Sequence, residues 1–138
     1  MSGEVQSNQP INLPDAAYTV SPVDSGKIMF VNTVTANRTY TLPLPAAGLH
    51  YRFINKAPGA LGGNVIIATN GGAAIMNGII IQVGAAVNAT RSLPVAGSVS
   101  NTFVTAVSLI GDCVDVYSDG TSWFVQSLST VNGGITSP

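Results

Sequence analysis

Short runs of alternating apolar and polar residues, separated by turn-forming residues, recur along most of this chain. The clearest example lies between Gly111 and Gln126, where two runs of β-branched and aromatic residues flank the pair Asp119-Gly120. An Asp-Gly pair in this setting strongly favours a β-hairpin, because glycine adopts positive φ freely and aspartate tolerates it. We therefore predict two antiparallel strands joined by a two-residue type I′ turn at Asp119 and Gly120.

The turn also fixes which residues of the hairpin share a face. In this register Val116 lies opposite Trp123. Two pairs further along, Val114 lies opposite Val125. Side chains alternate across a strand, so these four apolar residues, which include the only tryptophan, point to the same side. We expect that side to lie on the core.

Shorter runs of the same kind extend through the rest of the chain and predict eight or nine strands in total, without a convincing helix. Turn signals recur about every ten residues, which is typical of all-β domains. At 138 residues the chain suits one domain. We predict a single-domain β-sandwich or jelly-roll-like fold. Besides the four hairpin residues, its expected core contains Leu42, Tyr51, Phe53, Ile66, Ile79, Ile81, Phe103 and Val107.

Three of these runs carry further predictions. The run from Thr102 to Ile110 predicts a long strand directly before the hairpin. The run from Leu49 to Asn55 places His50 and Arg52 on its less apolar side. The run from Lys27 to Asn32 predicts a strand but leaves open which of two apolar pairs is buried. The candidates are Ile28 with Phe30, and Met29 with Val31.

The two ends of the chain lack this alternation. Residues 1–14 are polar, contain two prolines and show no period, so we predict an extended N-terminal arm over residues 1–17. The β domain then covers residues 18–128. Residues 129–138 are rich in glycine and serine and predict an irregular C-terminal tail.

The charged fraction changes this picture. Only 8% of the residues are charged, against about 25% in ordinary soluble proteins. A membrane-spanning helix does not explain this, since the most apolar region, from Val65 to Val87, is interrupted by asparagine and glycine. The first ten residues do not resemble a signal peptide either. We therefore expect a surface that is largely covered, by oligomerisation or by docking onto an assembly.

Charge and chemistry exclude other classes of function. The net charge is −1 and the five basic residues are scattered, whereas nucleic-acid binding depends on clustered Lys and Arg. His50 is the only histidine, and the single cysteine, Cys113, is interpreted as a small buried thiol. We expect no catalytic, cofactor-binding or metal-binding residues, and hence no enzyme.

Three aspartates lie close together in the sequence and imitate a calcium site. They are Asp112, Asp115 and Asp119, but they lack the alternating ligand spacing and the glutamate of an EF-hand loop. We interpret Asp112 and Asp119 as turn residues at the two ends of one hairpin strand.

Three segments together resemble a known group of proteins. They are residues 24–32 (DSGKIMFVN), residues 40–55 (YTLPLPAAGLHYRFIN) and residues 111–125 (GDCVDVYSDGTSWFV). The second is similar to a "TLP…GLxYxFxN" pattern and the third to "GDxVxLxSDGTNWYV", with Ser122 and Phe124 replacing the asparagine and tyrosine. In this order they resemble small β-rich structural proteins of tailed bacteriophages and other large DNA viruses, namely capsid decoration (cement) proteins and the heads of tail or head fibres.

The resemblance implies a homotrimer with a non-catalytic role on the virion. A decoration protein on the capsid surface, with the major capsid protein as its partner, fits a chain of this length better than a fibre subunit with a shaft. In the alternative, the chain is a tail or head fibre or a receptor-binding, carbohydrate-binding β module. That alternative needs solvent-facing aromatic residues, whereas Tyr40, Tyr51, Phe53 and Trp123 fall on predicted core faces.

The N-terminal arm is the segment that we expect to dock onto the capsid. An extended segment without a core becomes ordered by burying side chains against a partner. Pro10 and Pro14 limit the entropy that docking costs. The expected anchors are Val5, Ile11 and Leu13.

Overall fold

Twelve β-strands carry the fold in the computed structural model, which describes residues 9–86 and 89–138. Over these residues there is no α-helix, only two single turns of 3₁₀ helix at Pro22–Asp24 and Asn70–Gly72, so the all-β class is confirmed. The strands are β1 (Ile11–Asn12), β2 (Tyr18–Thr19), β3 (Ile28–Val31), β4 (Arg38–Thr41), β5 (His50–Asn55), β6 (Val65–Ala68), β7 (Met76–Val83), β8 (Thr90–Ser98), β9 (Ser100–Phe103), β10 (Cys113–Ser118), β11 (Trp123–Ser129) and β12 (Ile135–Thr136).

The strands form two sheets with mixed parallel and antiparallel pairing. The larger sheet has seven strands in the order β1-β3-β5-β10-β11-β7-β8, and the smaller has five in the order β12-β9-β6-β4-β2. The predicted hairpin, β10 and β11, lies in the middle of the larger sheet. It pairs with β5 on one side and with β7 on the other. Both hairpin strands therefore lie between hydrogen-bonded neighbours.

One hydrophobic cluster takes residues from both sheets. Tyr40 and Tyr51 lie in it with their rings fully buried, and their hydroxyls donate to the carbonyls of Pro14 at 2.8 Å and Ser21 at 2.9 Å. Burial raises the pKa of both phenols to about 12. The structure also places the following predicted core residues in this cluster: Leu42, Phe53, Phe103, Val114, Val116, Trp123 and Val125.

The turn of the hairpin differs from the prediction. Ser118 pairs with Trp123, so the loop has four residues, 119–122, and the two-residue type I′ turn is wrong. The Asp119 carboxylate accepts hydrogen bonds from the backbone N–H groups of Thr121 at 2.9 Å and Ser122 at 2.8 Å, which stabilises the wider loop. These bonds also hold the pKa of Asp119 below its usual value. The register moves by two residues, so each side chain keeps its predicted face.

Four residues assigned to the core lie outside it. On β6 the buried residues are Val65 and Ile67, and on β7 they include Ile80. Both strands carry apolar residues on both faces, so alternation alone does not indicate which face is buried. On β3, for which the sequence left two apolar pairs open, the buried pair is Met29 and Val31. The incorrectly assigned core residues are Ile66, Ile79, Ile81 and Val107.

The long strand predicted over residues 102–110 is also wrong. Strand β9 ends at Phe103, and residues 104–112 form a loop. The backbone turns because the N–H groups of Val107 and Ser108 both bond to the carbonyl of Val104, and Ala106 adopts a left-handed conformation with φ 59°. An apolar composition suited to a strand is thus used in an exposed loop.

The two ends are more regular than predicted. Ile135, in the predicted irregular tail, is buried and pairs with Phe103 in β9, and β11 itself extends to Ser129. In the predicted arm, Ile11 forms part of β1 beside β3, and Leu13 is buried in the core. The described residues at both ends therefore belong to the fold.

Replacing Trp123 with alanine is expected to lower the free energy of unfolding by about 3–5 kcal/mol, because the fully buried ring leaves a cavity. Trp123→Phe should cost less, since the indole Nε1 has no hydrogen-bond partner within the described chain and phenylalanine buries no such donor. Urea denaturation measures both. The matched control is Phe124→Ala on the opposite face of β11, and a loss equal to that of Trp123→Ala would contradict the assignment of faces.

Candidate functional site

The side chains singled out for chemistry do not converge. Within residues 9–86 and 89–138, no three His, Cys, Asp or Glu residues lie close enough to hold a metal ion. His50 is exposed, and its ring stacks on Tyr117 with centroids 6.0 Å apart and planes 16° from parallel. Asp112 and Asp119 stand at the two ends of β10 and are both committed to backbone and hydroxyl donors.

Asp112 is the centre of a buried polar cluster. Its carboxylate accepts from the hydroxyls of Ser108 at 3.0 Å and Ser129 at 2.8 Å. It also accepts from the N–H of Leu109 at 3.1 Å and from the N–H and hydroxyl of Thr130 at 2.9 and 3.2 Å. The side chain of Asn55 extends the chain of bonds by donating to Ser108 at 3.2 Å. We call these residues the Asp112 cluster: Asn55, Ser108, Asp112, Ser129 and Thr130.

The most distinctive surface is the outer face of the seven-stranded sheet, opposite its buried face. Cross-strand pairing arranges its side chains in three rows. We call them the apolar row (Phe30, Ile54, Cys113, Leu128 and Ile81), the polar row (Arg52, Asp115, Gln126 and Ile79) and the aromatic row (His50, Tyr117 and Phe124). A sheet face that meets water usually carries polar side chains, whereas these rows contain exposed aliphatic and aromatic residues.

The apolar row crosses five strands without a charged residue. Leu128, next to the central Cys113, is 52% exposed although it lies on an inner strand of the sheet. Ile81 follows it on β7 and is also exposed. At the far end Lys56 lies over the ring of Phe30, with its Nζ 5.0 Å from the ring centroid. The row therefore offers a band of apolar surface with a cation at one end.

The polar row contains the one ion pair on this face among the described residues. Arg52 donates twice to Asp115, from Nε at 2.7 Å and from an Nη at 2.8 Å. These bonds raise the pKa of Arg52 further above its ordinary value. Asp115 is buried while Arg52 is half exposed, so the guanidinium covers the carboxylate. The pair satisfies its own charges and leaves the surrounding apolar surface free to be buried.

The aromatic row closes the face at the hairpin end. Tyr117 and Phe124 are paired across β10 and β11, and they are 45% and 44% exposed. Together with the stacked ring of His50 they form a flat aromatic surface. The four aromatic residues predicted for the core, by contrast, are all buried: Tyr40, Tyr51, Phe53 and Trp123.

Two clefts open on either side of the apolar row. The first has a volume of about 390 Å³ and is lined by uncharged residues, with Ile81, Val83, Cys113 and Leu128 as its apolar walls and Thr130 among its polar ones. The second has a volume of about 270 Å³ and contains the ion pair of the polar row. Ile81 and Leu128 line both clefts and form the ridge between them.

The loop of residues 104–112 adds apolar surface beside the first cleft. Leu109 is 48% and Ile110 is 61% exposed, and the following residue, Gly111, lines the cleft. The Asp112 cluster holds the base of this loop, and Gly111 donates its N–H to the carbonyl of Asn55 at 2.7 Å. The loop thus presents two aliphatic side chains from a fixed backbone.

The predicted docking arm is placed only in part. Val5 lies outside the described residues. Leu13 is buried in the core of its own domain, and Ile11 packs against that core from β1. These two residues stabilise the fold, so they are not free anchors for another protein.

The sequence predicts a largely covered surface but does not locate it, and it assigns Ile79 and Ile81 of the outer face to the core. Strand β7 reads Met76–Val83 with apolar residues on both faces, and the hairpin carries Tyr117 and Phe124 on the side away from its core. Apolar residues on both faces of a strand indicate burial on both sides.

Comparisons with known proteins assign neither a family nor a function to this chain. No protein-family model matches it, and neither the curated proteins nor the solved structures contain a significant match. The described residues include no helix long and apolar enough to cross a bilayer.

Cys113, which is partly rather than fully buried, offers a direct test of the geometry of the first cleft. Burial raises the pKa of its thiol, so less thiolate is present near pH 8 than for an ordinary cysteine with a pKa of about 8.5. We expect its labelling by a thiol reagent to rise with pH along a curve displaced to higher pH. The same chain unfolded in urea is the control. Coincident curves for the folded and unfolded chains would show that the thiol is not shielded from water.

Proposed function

We propose that this chain is a non-catalytic virion structural protein that forms a homotrimer and binds the major capsid protein on the capsid surface as a decoration (cement) protein. The viral assignment is supported by the resemblance of residues 24–32, 40–55 and 111–125. Self-association is supported by the outer face of the seven-stranded sheet, and this is the observation that carries the proposal. The role is to add buried surface across a shell.

In this proposal the two sheets stack as a β-sandwich, and two features support the stacking. Buried residues from both sheets contribute to one cluster. The hydroxyl of Ser127 in β11 donates to the side chain of Asn101 in β9 at 2.7 Å, which links the larger sheet to the smaller. Each sheet then has one inner face on the core, and the outer face of the larger one is available to a partner.

The size of the outer face suits a protein partner. The five strands that carry the rows, from β3 to β7 in the sheet order, span about 24 Å with their margins, and the three rows of side chains span about 20 Å, which gives roughly 500 Å². A specific interface buries about 800 Å² from each partner. The outer face therefore supplies more than half of such an interface, and the loop of residues 104–112 extends it.

The chemistry of the face suits a copy of the same chain. Interface cores are poor in unpaired charge and rich in aromatic and aliphatic residues. Here Arg52 and Asp115 neutralise each other, and most of the remaining residues in the three rows are aliphatic or aromatic. Repulsion between like charges does not oppose the approach of an identical copy, as it would for a strongly charged face.

We expect Leu128→Asp to convert the trimer to a monomer, because a carboxylate in the centre of a buried interface loses its hydration without a partner. Light scattering should change from three times the 14.1 kDa chain mass to the mass of one chain. The matched control is Leu44→Asp, at a leucine that is more exposed than Leu128 and lies outside the outer face. A wild-type chain that is monomeric at micromolar concentration would refute the trimer.

Capsid docking is tested by deleting residues 1–8, which include the predicted anchor Val5. A deletion through residue 14 would also remove Leu13 from the core and so confuse docking with folding. We expect the shorter deletion to leave a folded trimer that no longer sediments with undecorated shells. The control is Leu44→Asp, which should sediment like the full chain. Full binding by the deleted chain would remove the arm from the mechanism.

The aromatic row is the observation that supports the carbohydrate-binding alternative. Exposed rings beside polar groups are the surface on which sugars stack, and Tyr117 and Phe124 form such a pair. A glycan-binding screen of the wild type and of Phe124→Ala distinguishes the two functions. Specific glycan binding that is lost in the variant, together with no affinity for shells, would favour the receptor-binding module.

A further inference from the structure

We propose that the trimer closes through a contact between unlike surfaces, in which Leu109 and Ile110 of one copy enter the first cleft of the next copy. This inference rests on the proposed trimer and names the contact that builds it. The cleft walls that receive the two side chains are Ile81, Val83 and Leu128, with Cys113 at the cleft surface.

We call Leu109 and Ile110 the tip of the loop of residues 104–112. Both side chains are exposed and are not covered by their own domain. Asp112 accepts the N–H of Leu109 and bonds to Ser129 and Thr130 at the end of β11, so the loop base is fixed to the hairpin. Ala106 adopts a left-handed backbone, which costs free energy in a non-glycine residue. A loop that keeps this strain while exposing two aliphatic residues gains from a partner that buries them.

The cleft matches that tip in polarity and size. Its lining contains no charged side chain among the described residues. The eight side-chain carbons of Leu109 and Ile110 need about 240 Å³ at a water-like share of roughly 30 Å³ per atom. The cleft offers about 390 Å³. Polar groups of Gln82, Thr90 and Thr130 line it beside the apolar walls, which is the arrangement of an interface pocket.

The occupant is a second copy because each chain carries both halves of the contact but does not join them itself. Gly111 lines the cleft, but Leu109 and Ile110 do not, and Ile110 remains 61% exposed, so these two side chains do not fill their own cleft. Contacts between two different surfaces of identical chains generate rings when the rotation closes. The outer face supplies roughly 500 Å² to one side of this contact, toward the roughly 800 Å² per partner of a specific interface, and the loop of the next copy forms the other side.

The test compares three single variants with the wild type by light scattering and by the labelling rate of Cys113, which is the only cysteine. Ile110→Asp places a carboxylate on the tip, and Leu128→Asp places one on the cleft wall. The control is Val23→Asp, at an exposed apolar residue that belongs to neither surface. We expect the wild type and the control to be trimers with slow labelling. Ile110→Asp should be a folded monomer, by circular dichroism, that is labelled roughly tenfold faster.

Mixing distinguishes a contact between unlike surfaces from a contact between like ones. The Leu128→Asp chain keeps an intact tip and the Ile110→Asp chain keeps an intact cleft, so an equimolar mixture should form a heterodimer through one good contact. Either chain alone should stay monomeric. If the interface joined like surfaces, every pair in the mixture would contain a damaged half and no heterodimer would form.

The outcomes separate this inference from the proposed function. A trimeric Ile110→Asp with Cys113 still protected would overturn the loop-and-cleft contact and leave the trimer standing. Disassembly of Ile110→Asp without rescue on mixing would also overturn it. A monomeric wild type would refute both. If Ile110→Asp fails to fold, dilution of the wild type decides: dissociation must speed the labelling of Cys113, and an unchanged rate contradicts burial of the cleft.

Discussion

A buried carboxylate, which has no basic partner among residues 9–86 and 89–138, stabilises the junction between the two sheets. Asp112 lies between the loop that leaves β9 of the smaller sheet and β10 of the larger one, and its five hydrogen bonds reach both that loop and the end of β11. A buried charge is tolerated only when donors surround it. Each donor must therefore keep its position, and this requirement fixes the strand ends, the turn before β12 and the apolar loop together.

The same constraint explains why the exposed surface has a defined shape. With β10 and β11 held between β5 and β7, the outer-face rows follow from strand pairing alone. The carbonyl of Val125 lies where a Cβ on Gly78 would overlap it, so only glycine fits at that point of β7. The ladder is tight between β11 and β7, and strand pairing on both sides of the hairpin fixes which side chains lie on the outer face. The strand register therefore places these apolar side chains on the outer face.

The fold follows from the sequence pattern where only one face of a strand is apolar. Tyr40 and Leu42 alternate with threonines, and Val114, Val116, Trp123 and Val125 share one side of the hairpin, so the alternation alone assigns their burial correctly. On β6 and β7 both faces are apolar, so the alternation does not indicate which face is buried. Residues 104–110 were predicted wrongly because the hydrogen bonds that hold this loop depend on Asp112 and on groups distant in sequence. The outer face and the cleft were unpredicted for a related reason: they exist only once non-adjacent strands are paired.

The edges of the sheets indicate which route of association remains open. Unpaired edge strands are the usual template for uncontrolled pairing. Here three of the four edges, β1, β2 and β12, are two residues long, and the fourth, β8, carries Pro94, which cannot donate to a new ladder. Pairing along the edges is therefore poor, while the outer face and the loop of residues 104–112 offer side-chain surface. Contacts through side chains on a fixed geometry allow a ring to close with a set number of copies, whereas edge pairing would continue without limit. A chain with few charges and blocked edges is thus suited to a closed oligomer.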